Sequence, residues 1–85
     1  MAKWVFLMSK KILLAQLYII DCLYKTTAYK LQAFHWEGPR DGIYGLVFYR
    51  DGKQFILSFS EEELLEYGRG GWFDRIREKI KDALK

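Results

Sequence analysis

The chain of 85 residues contains no Asn, one Pro, one Cys, one His and few Ser or Thr. Each shortage removes a class of explanation. The lone Cys22 excludes an internal disulfide and a cysteine-based zinc site, and its apolar neighbours mark it as a small core hydrophobe suited to a reducing cytoplasm. With His35 as the single histidine, a metal centre built from several imidazoles is out of reach. Scarce hydroxyls leave neither a nucleophile elbow nor a cysteine–histidine arrangement legible. The missing Asn, beside abundant charge, hints at a thermophilic source.

Long apolar runs are missing too. Ile12 to Ile20 has no charge, but Lys10 and Lys11 precede it and Asp21 closes it, far short of the about 20 residues that a membrane span needs. Lys3 offers the positive start of a signal peptide, yet no small-x-small cleavage site follows, so the N-terminus is expected to belong to the fold. Positive charge is present without being dense. A net charge of +3 permits an anionic partner but lacks the Lys/Arg tracts that declare one.

What is plentiful is apolar and aromatic surface, 51% and 18% of the residues, in a chain near the lower limit for a single self-sufficient core. The expectation is one small α+β domain, residues 1–85, with an apolar N-terminal helix, an antiparallel sheet of two or three strands and two C-terminal helices.

The segment 42–63 is the most explicit. Two aromatic and β-branched runs flank Asp51-Gly52, the pair that a two-residue hairpin turn wants because both central positions need positive φ. Counting outward from that turn pairs Arg50 with Lys53, Phe48 with Phe55, Leu46 with Leu57 and Tyr44 with Phe59. Tyr44, Leu46, Phe48, Phe55, Leu57 and Phe59 then share a core face, while Gly45, Val47, Tyr49, Gln54, Ile56 and Ser58 share a half-apolar one. Ser60 to Glu63 reads as a capping box that opens a helix over Glu61–Tyr67. Gly68 stands where a left-handed residue ends such a helix.

Upstream, Ser9 is an expected N-cap for a helix from Lys10 to about Lys25. That helix is so apolar that the core, or a second copy of the chain, must cover most of it. Lys3 to Met8 reads equally as an edge strand or as a lead-in to that helix. For 28–36 both periods fit, and the position beside the hairpin favours a third strand. Two glycines and a proline make Glu37 to Gly42 an expected loop. Arg69-Gly70-Gly71 reads as a connector, without the Lys-Ser/Thr sequel of a phosphate loop. Trp72 to Leu84 is amphipathic, with Trp72, Phe73, Ile76, Ile80, Ala83 and Leu84 on one face and cations along both borders.

No convergent catalytic set can be read. His35, Glu37 and Asp41 are a conceivable cluster, but they supply too few ligands for a metal at that spacing. The expectation is a non-enzymatic protein with no catalytic residues, metal or cofactor. As a nucleic-acid-associated regulator, DNA- or RNA-binding, it would use Arg50 and Lys53 at the hairpin tip, with Tyr49, Lys30 and Arg40 nearby to neutralise phosphates and stack on bases. The alternative is a protein-interaction module, a homodimer or an adaptor, that docks through Val47, Ile56, Ile43 and Tyr49.

Overall fold

The computed structural model describes residues 10–28 and 30–85; the expectations for Lys3 to Met8 and for Ser9 fall outside them. The chain is α+β. Helix α1 (Lys10–Thr26) precedes an antiparallel meander of β1 (Ala33–Arg40), β2 (Ile43–Arg50) and β3 (Lys53–Ser60), followed by α2 (Glu61–Tyr67) and α3 (Phe73–Leu84). No helix among the described residues is long and apolar enough to cross a membrane.

The β2–β3 hairpin has the register that its turn dictates, from Arg50↔Lys53 to Ile43↔Ser60. Asp51 and Gly52 take φ of 54° and 75°. That turn leaves Leu46, Phe48, Leu57 and Phe59 buried on one face, where they meet Ile19 and Leu23 of α1, Leu64 and Tyr67 of α2, and Ile76 and Ile80 of α3. All three helices therefore cover the same side of the sheet.

The third strand is present but displaced along the chain: β1 begins at Ala33, not at 28, and runs on to Arg40. β1 pairs Ala33↔Tyr49 through Glu37↔Gly45 and resumes at Arg40↔Ile43, with one extra residue accommodated between Glu37 and Arg40. The expected loop at 37–42 is thus corrected to a bulged strand end plus a two-residue turn at Asp41-Gly42, with φ of 53° and 76°. Gly and Pro break a regular ladder, but a bulge on an outer strand tolerates both, because the extra residue owes no ladder bond.

The end of α1 is set by Thr27, whose hydroxyl donates to the carbonyls of Leu23 and Tyr24 at 2.8 and 3.2 Å, and by Ala28 in the left-handed region. The capping box of α2 is complete: Ser60 Oγ accepts from the Glu63 amide at 3.0 Å and Glu63 Oε1 accepts from the Ser60 amide at 3.4 Å.

Gly68 differs from expectation. Its φ of −64° is right-handed. It is glycine because a Cβ there would lie 2.4 Å from the Lys11 carbonyl oxygen, where α1 and the end of α2 meet backbone to side. The left-handed residues are Gly70 and Gly71, which turn the chain into α3.

Candidate functional site

The sheet's second face carries no helix of the described residues. Its register positions are Ala33, His35 and Glu37 on β1, Gly45, Val47 and Tyr49 on β2, and Gln54, Ile56 and Ser58 on β3. Val47, at the centre, is buried to 1% exposure, whereas Ile56 is 60% and Ile43 43% exposed. Of the residues expected at a protein interface, Ile43 and Ile56 are the ones that present apolar surface, with Tyr49 half-buried beside them. Glu37, Gly38, Arg40, Ile43, Gly45, Ile56 and Ser58 line a shallow pocket of about 520 Å³ at one end of this face, where Gly45 leaves the middle strand without a side chain.

The expected nucleic-acid residues divide between the two ends of the sheet. Arg50 and Lys53 flank the β2–β3 turn, and Tyr49 precedes Arg50. The segment entering β1 reaches the same end: the Gln32 amide N–H donates to the Tyr49 carbonyl at 3.0 Å, and Gln32 Oε1 accepts from the Gly52 amide at 3.0 Å. Those two bonds hold Lys30, two residues upstream and exposed, at the tip. Lys30, Tyr49, Arg50 and Lys53 therefore lie at the same end of the sheet, with Tyr49 on the open face and Arg50 and Lys53 at positions of the helix-side face. Arg40 does not join them, since it sits at the opposite end of β1, roughly 23 Å away at about 3.3 Å per strand residue.

The charge at the tip is poorly compensated. Arg50 Nε is buried with no hydrogen-bond acceptor among the described residues, and its nearest carboxylate, Asp51, lies 3.9 Å away. An incoming anion would meet the exposed part of the Arg50 side chain, not this enclosed N–H. Asp51 is exposed.

A second set of cations escaped the sequence reading. Lys25 and Thr26 at the end of α1 face Arg77 and Lys81 of α3 across an open pocket of about 380 Å³. The row Arg77, Lys81, Lys85 is visible in the sequence as a helix border, but its apposition to Lys25 depends on how α1 and α3 pack. Lys25 is paired with Asp21 at 2.9 Å and Arg77 with Asp74 at 3.7 Å, so part of this charge is already answered.

His35 Nε2 lies 3.8 Å from Glu37 Oε1, both side chains are more than half exposed, and Asp41 stands apart in its turn. Among the described residues no three His, Cys, Asp or Glu side chains gather as for a metal ion. Cys22 is buried, and burial together with the nearby Asp21 raises its thiol pKa despite Arg77 and Lys25. A raised pKa keeps the thiol protonated and weakly nucleophilic.

The most integrated polar group is structural. Glu63 accepts from the Tyr67 hydroxyl at 2.6 Å and from Lys79 Nζ at 3.0 Å, and Lys79 also donates to the Ser58 carbonyl at 2.5 Å while lying 4.1 Å over the Phe59 ring. Burial pushes the Glu63 pKa up, but the Tyr67 and Lys79 contacts prevail and hold it below the usual carboxylate value. Burial and Glu63 together raise the Tyr67 phenol pKa strongly.

Comparison with known protein families, with curated proteins and with solved structures finds no match.

Proposed function

We propose that this chain is a non-enzymatic, nucleic-acid-associated regulatory protein that contacts DNA or RNA through the tip formed by Lys30, Tyr49, Arg50 and Lys53. The observation that carries this reading is the gathering of Lys30, Arg50 and Lys53 at one end of the sheet, around the β2–β3 turn to which Gln32 is bonded. Cations at a loop tip neutralise backbone phosphates, and an adjacent ring provides a stacking surface that any base can use. Arg40, at the far end of the sheet, takes no part in this footprint.

Anisotropy titrations with labelled single- and double-stranded oligonucleotides at several salt concentrations test it. A footprint of three phosphates gives a log–log salt slope of about −2 to −3. Reversing Arg50 and Lys53 to Glu lowers affinity at least about tenfold and flattens that slope. Equal retention of both nucleic acids by the reversed variant overturns the reading.

A second reading rests on a separate observation. Ile43 and Ile56 are exposed around the Gly45 gap and its pocket, the arrangement an apolar partner side chain would fill. Ile43→Glu abolishes a protein contact made there and leaves oligonucleotide binding intact at the tip, roughly 23 Å away at about 3.3 Å per strand residue, so the two readings are separable in one set of variants.

A further inference from the structure

We infer that two copies of this chain pair through the outer edge of β1, antiparallel about a two-fold axis at His35, to form a continuous six-stranded sheet. The inference is independent of what the hairpin tip binds.

Strand register defines the edge. In a two-residue hairpin the residues that flank the turn exchange both backbone bonds, and the bonding direction alternates thereafter. From Arg50↔Lys53 it follows that Gly45, Val47 and Tyr49 aim their backbone groups at β1, and that their partners Glu37, His35 and Ala33 answer them. Phe34 and Trp36 consequently turn their N–H and C=O groups away from the sheet. No backbone hydrogen bond outside the regular elements uses either residue among those described. Seven of the eight β1 residues are exposed and only Trp36 is half-buried.

An edge of this kind is normally blunted by Lys, Pro or a covering element. Between Ala33 and Glu37 there is no Lys, Arg or Pro, and the bulge with Gly38 and Pro39 begins only beyond Glu37.

A second copy fits this edge because the edge is complementary to itself. An axis at His35 sets Phe34 against the partner's Trp36 in a bonded pair, and Trp36 against the partner's Phe34 in another. Two aromatic cross-strand pairs arise on the helix side. The same axis sets Ala33 against the partner's Glu37 and His35 against the partner's His35, with no Lys or Arg in the paired segment 33–37. It also leaves each bulge outside the paired segment.

The helix layer continues the surface. Leu13, Leu17, Ile20 and Tyr24 follow one stripe of α1 at i, i+4, i+7 and i+11, and Leu13 and Leu17 are 48% and 58% exposed. Tyr24 contacts Phe34 ring to edge, with centroids 6.1 Å apart, which joins this stripe to the β1 edge. Isologous pairing gives each copy the other's identical stripe as its neighbour.

Sedimentation equilibrium and cysteine cross-linking test the pairing. The parent chain is expected to sediment at twice the 10.2 kDa of one chain at micromolar concentration. In a Cys22→Ala background, His35→Cys is expected to oxidise rapidly to a covalent dimer, because the facing pair on the axis is non-bonded with Cα atoms about 4.5 Å apart, within disulfide range. Ala33→Cys and Glu37→Cys are expected to cross-link slowly, since each is about 13 Å from its own counterpart. Phe34→Lys, at an exposed position, weakens association at least about tenfold while the circular dichroism stays unchanged. A parent chain monomeric at 100 µM or so, faster cross-linking at 33 or 37 than at 35, or a dimer indifferent to Phe34→Lys overturns the inference.

Discussion

Along the outer edge of β3, the Ser58 carbonyl accepts from Lys79 and the Ser60 amide donates to Glu63, so side chains of α2 and α3 close the C-terminal end of that edge, while Gln54 and Ile56 nearer the turn have no such partner among the described residues. Along the outer edge of β1, Phe34 and Trp36 present backbone groups with no such partner among the described residues, and the strand is exposed almost throughout. Both edges belong to one three-stranded sheet whose core face is equally apolar. The difference comes from connectivity. β3 runs directly into α2, whose first residues fold back over the strand end. β1 is reached through the turn after Thr27, and among the described residues α1 lies on its side, touching it through Tyr24 and Phe34. An edge is finished within the chain where a helical return lies beside it; an edge next to an entry segment is left for something else.

The largest test of this contrast is packing. Phe59 is fully buried among Trp36, Tyr67 and Lys79, so Phe59→Ala should cost about 3–5 kcal/mol in urea unfolding. Phe34→Ala on the exposed edge should cost under about 1 kcal/mol, measured below the concentration at which copies would associate. Equal losses at the two sites would erase the distinction between a finished and an unfinished edge.

The next effect is electrostatic. Lys79→Met removes a donor to both Glu63 and Ser58 and should destabilise by about 1–2 kcal/mol. Because the folded Glu63 pKa lies below its ordinary value of 4.5, its contribution is fully present above about that pH and is lost as pH falls through the lower folded value. Tyr67 acts at the other extreme: with its folded pKa raised above 10.0, its contribution holds below that value and fades as pH rises beyond it. Acid titration of stability in the parent and in Glu63→Gln should therefore converge at low pH. A constant difference down through that range would remove Glu63 as the titrating group.

The smallest effect concerns the entry to β1. Ala28 holds φ of 55° where glycine would do so without steric cost, so Ala28→Gly should stabilise the chain by about 0.5–1 kcal/mol, read as a raised unfolding midpoint. Such a gain would show that this side retains a local misfit that the helical return of β3 does not have. Loss of stability there would mean that the turn is held by contacts that outweigh its own preference.

Which parts of this molecule could be read in advance follows from range of interaction. Asp51-Gly52 admits one turn geometry, and that turn transmits a register of eight pairs, so the core face from Tyr44 to Phe59 and the α2 capping box were legible residue by residue. The second hairpin carried the same signal, Arg40-Asp41-Gly42 repeating Arg50-Asp51-Gly52 ten residues earlier, but the neighbouring Gly38 and Pro39 masked it as a loop. Gly68 does end the helix, but as a right-handed residue pressed against the Lys11 carbonyl, a contact of which a local rule about left-handed caps takes no account.

For the candidate site, the sequence alone supplied Arg50, Lys53 and Tyr49 as neighbours, since one turn and one strand position them. Tertiary structure decided the rest: that Gln32 brings the segment before β1 to the tip, that Arg40 goes to the far end, that Val47 is buried while Ile56 is exposed, and that Lys79 and Glu63 close the C-terminal end of the β3 edge. The physical reason is one of reach. Backbone dihedrals and cross-strand alternation act over a few residues and are written in order along the chain, whereas burial and edge closure depend on which distant helix happens to lie alongside.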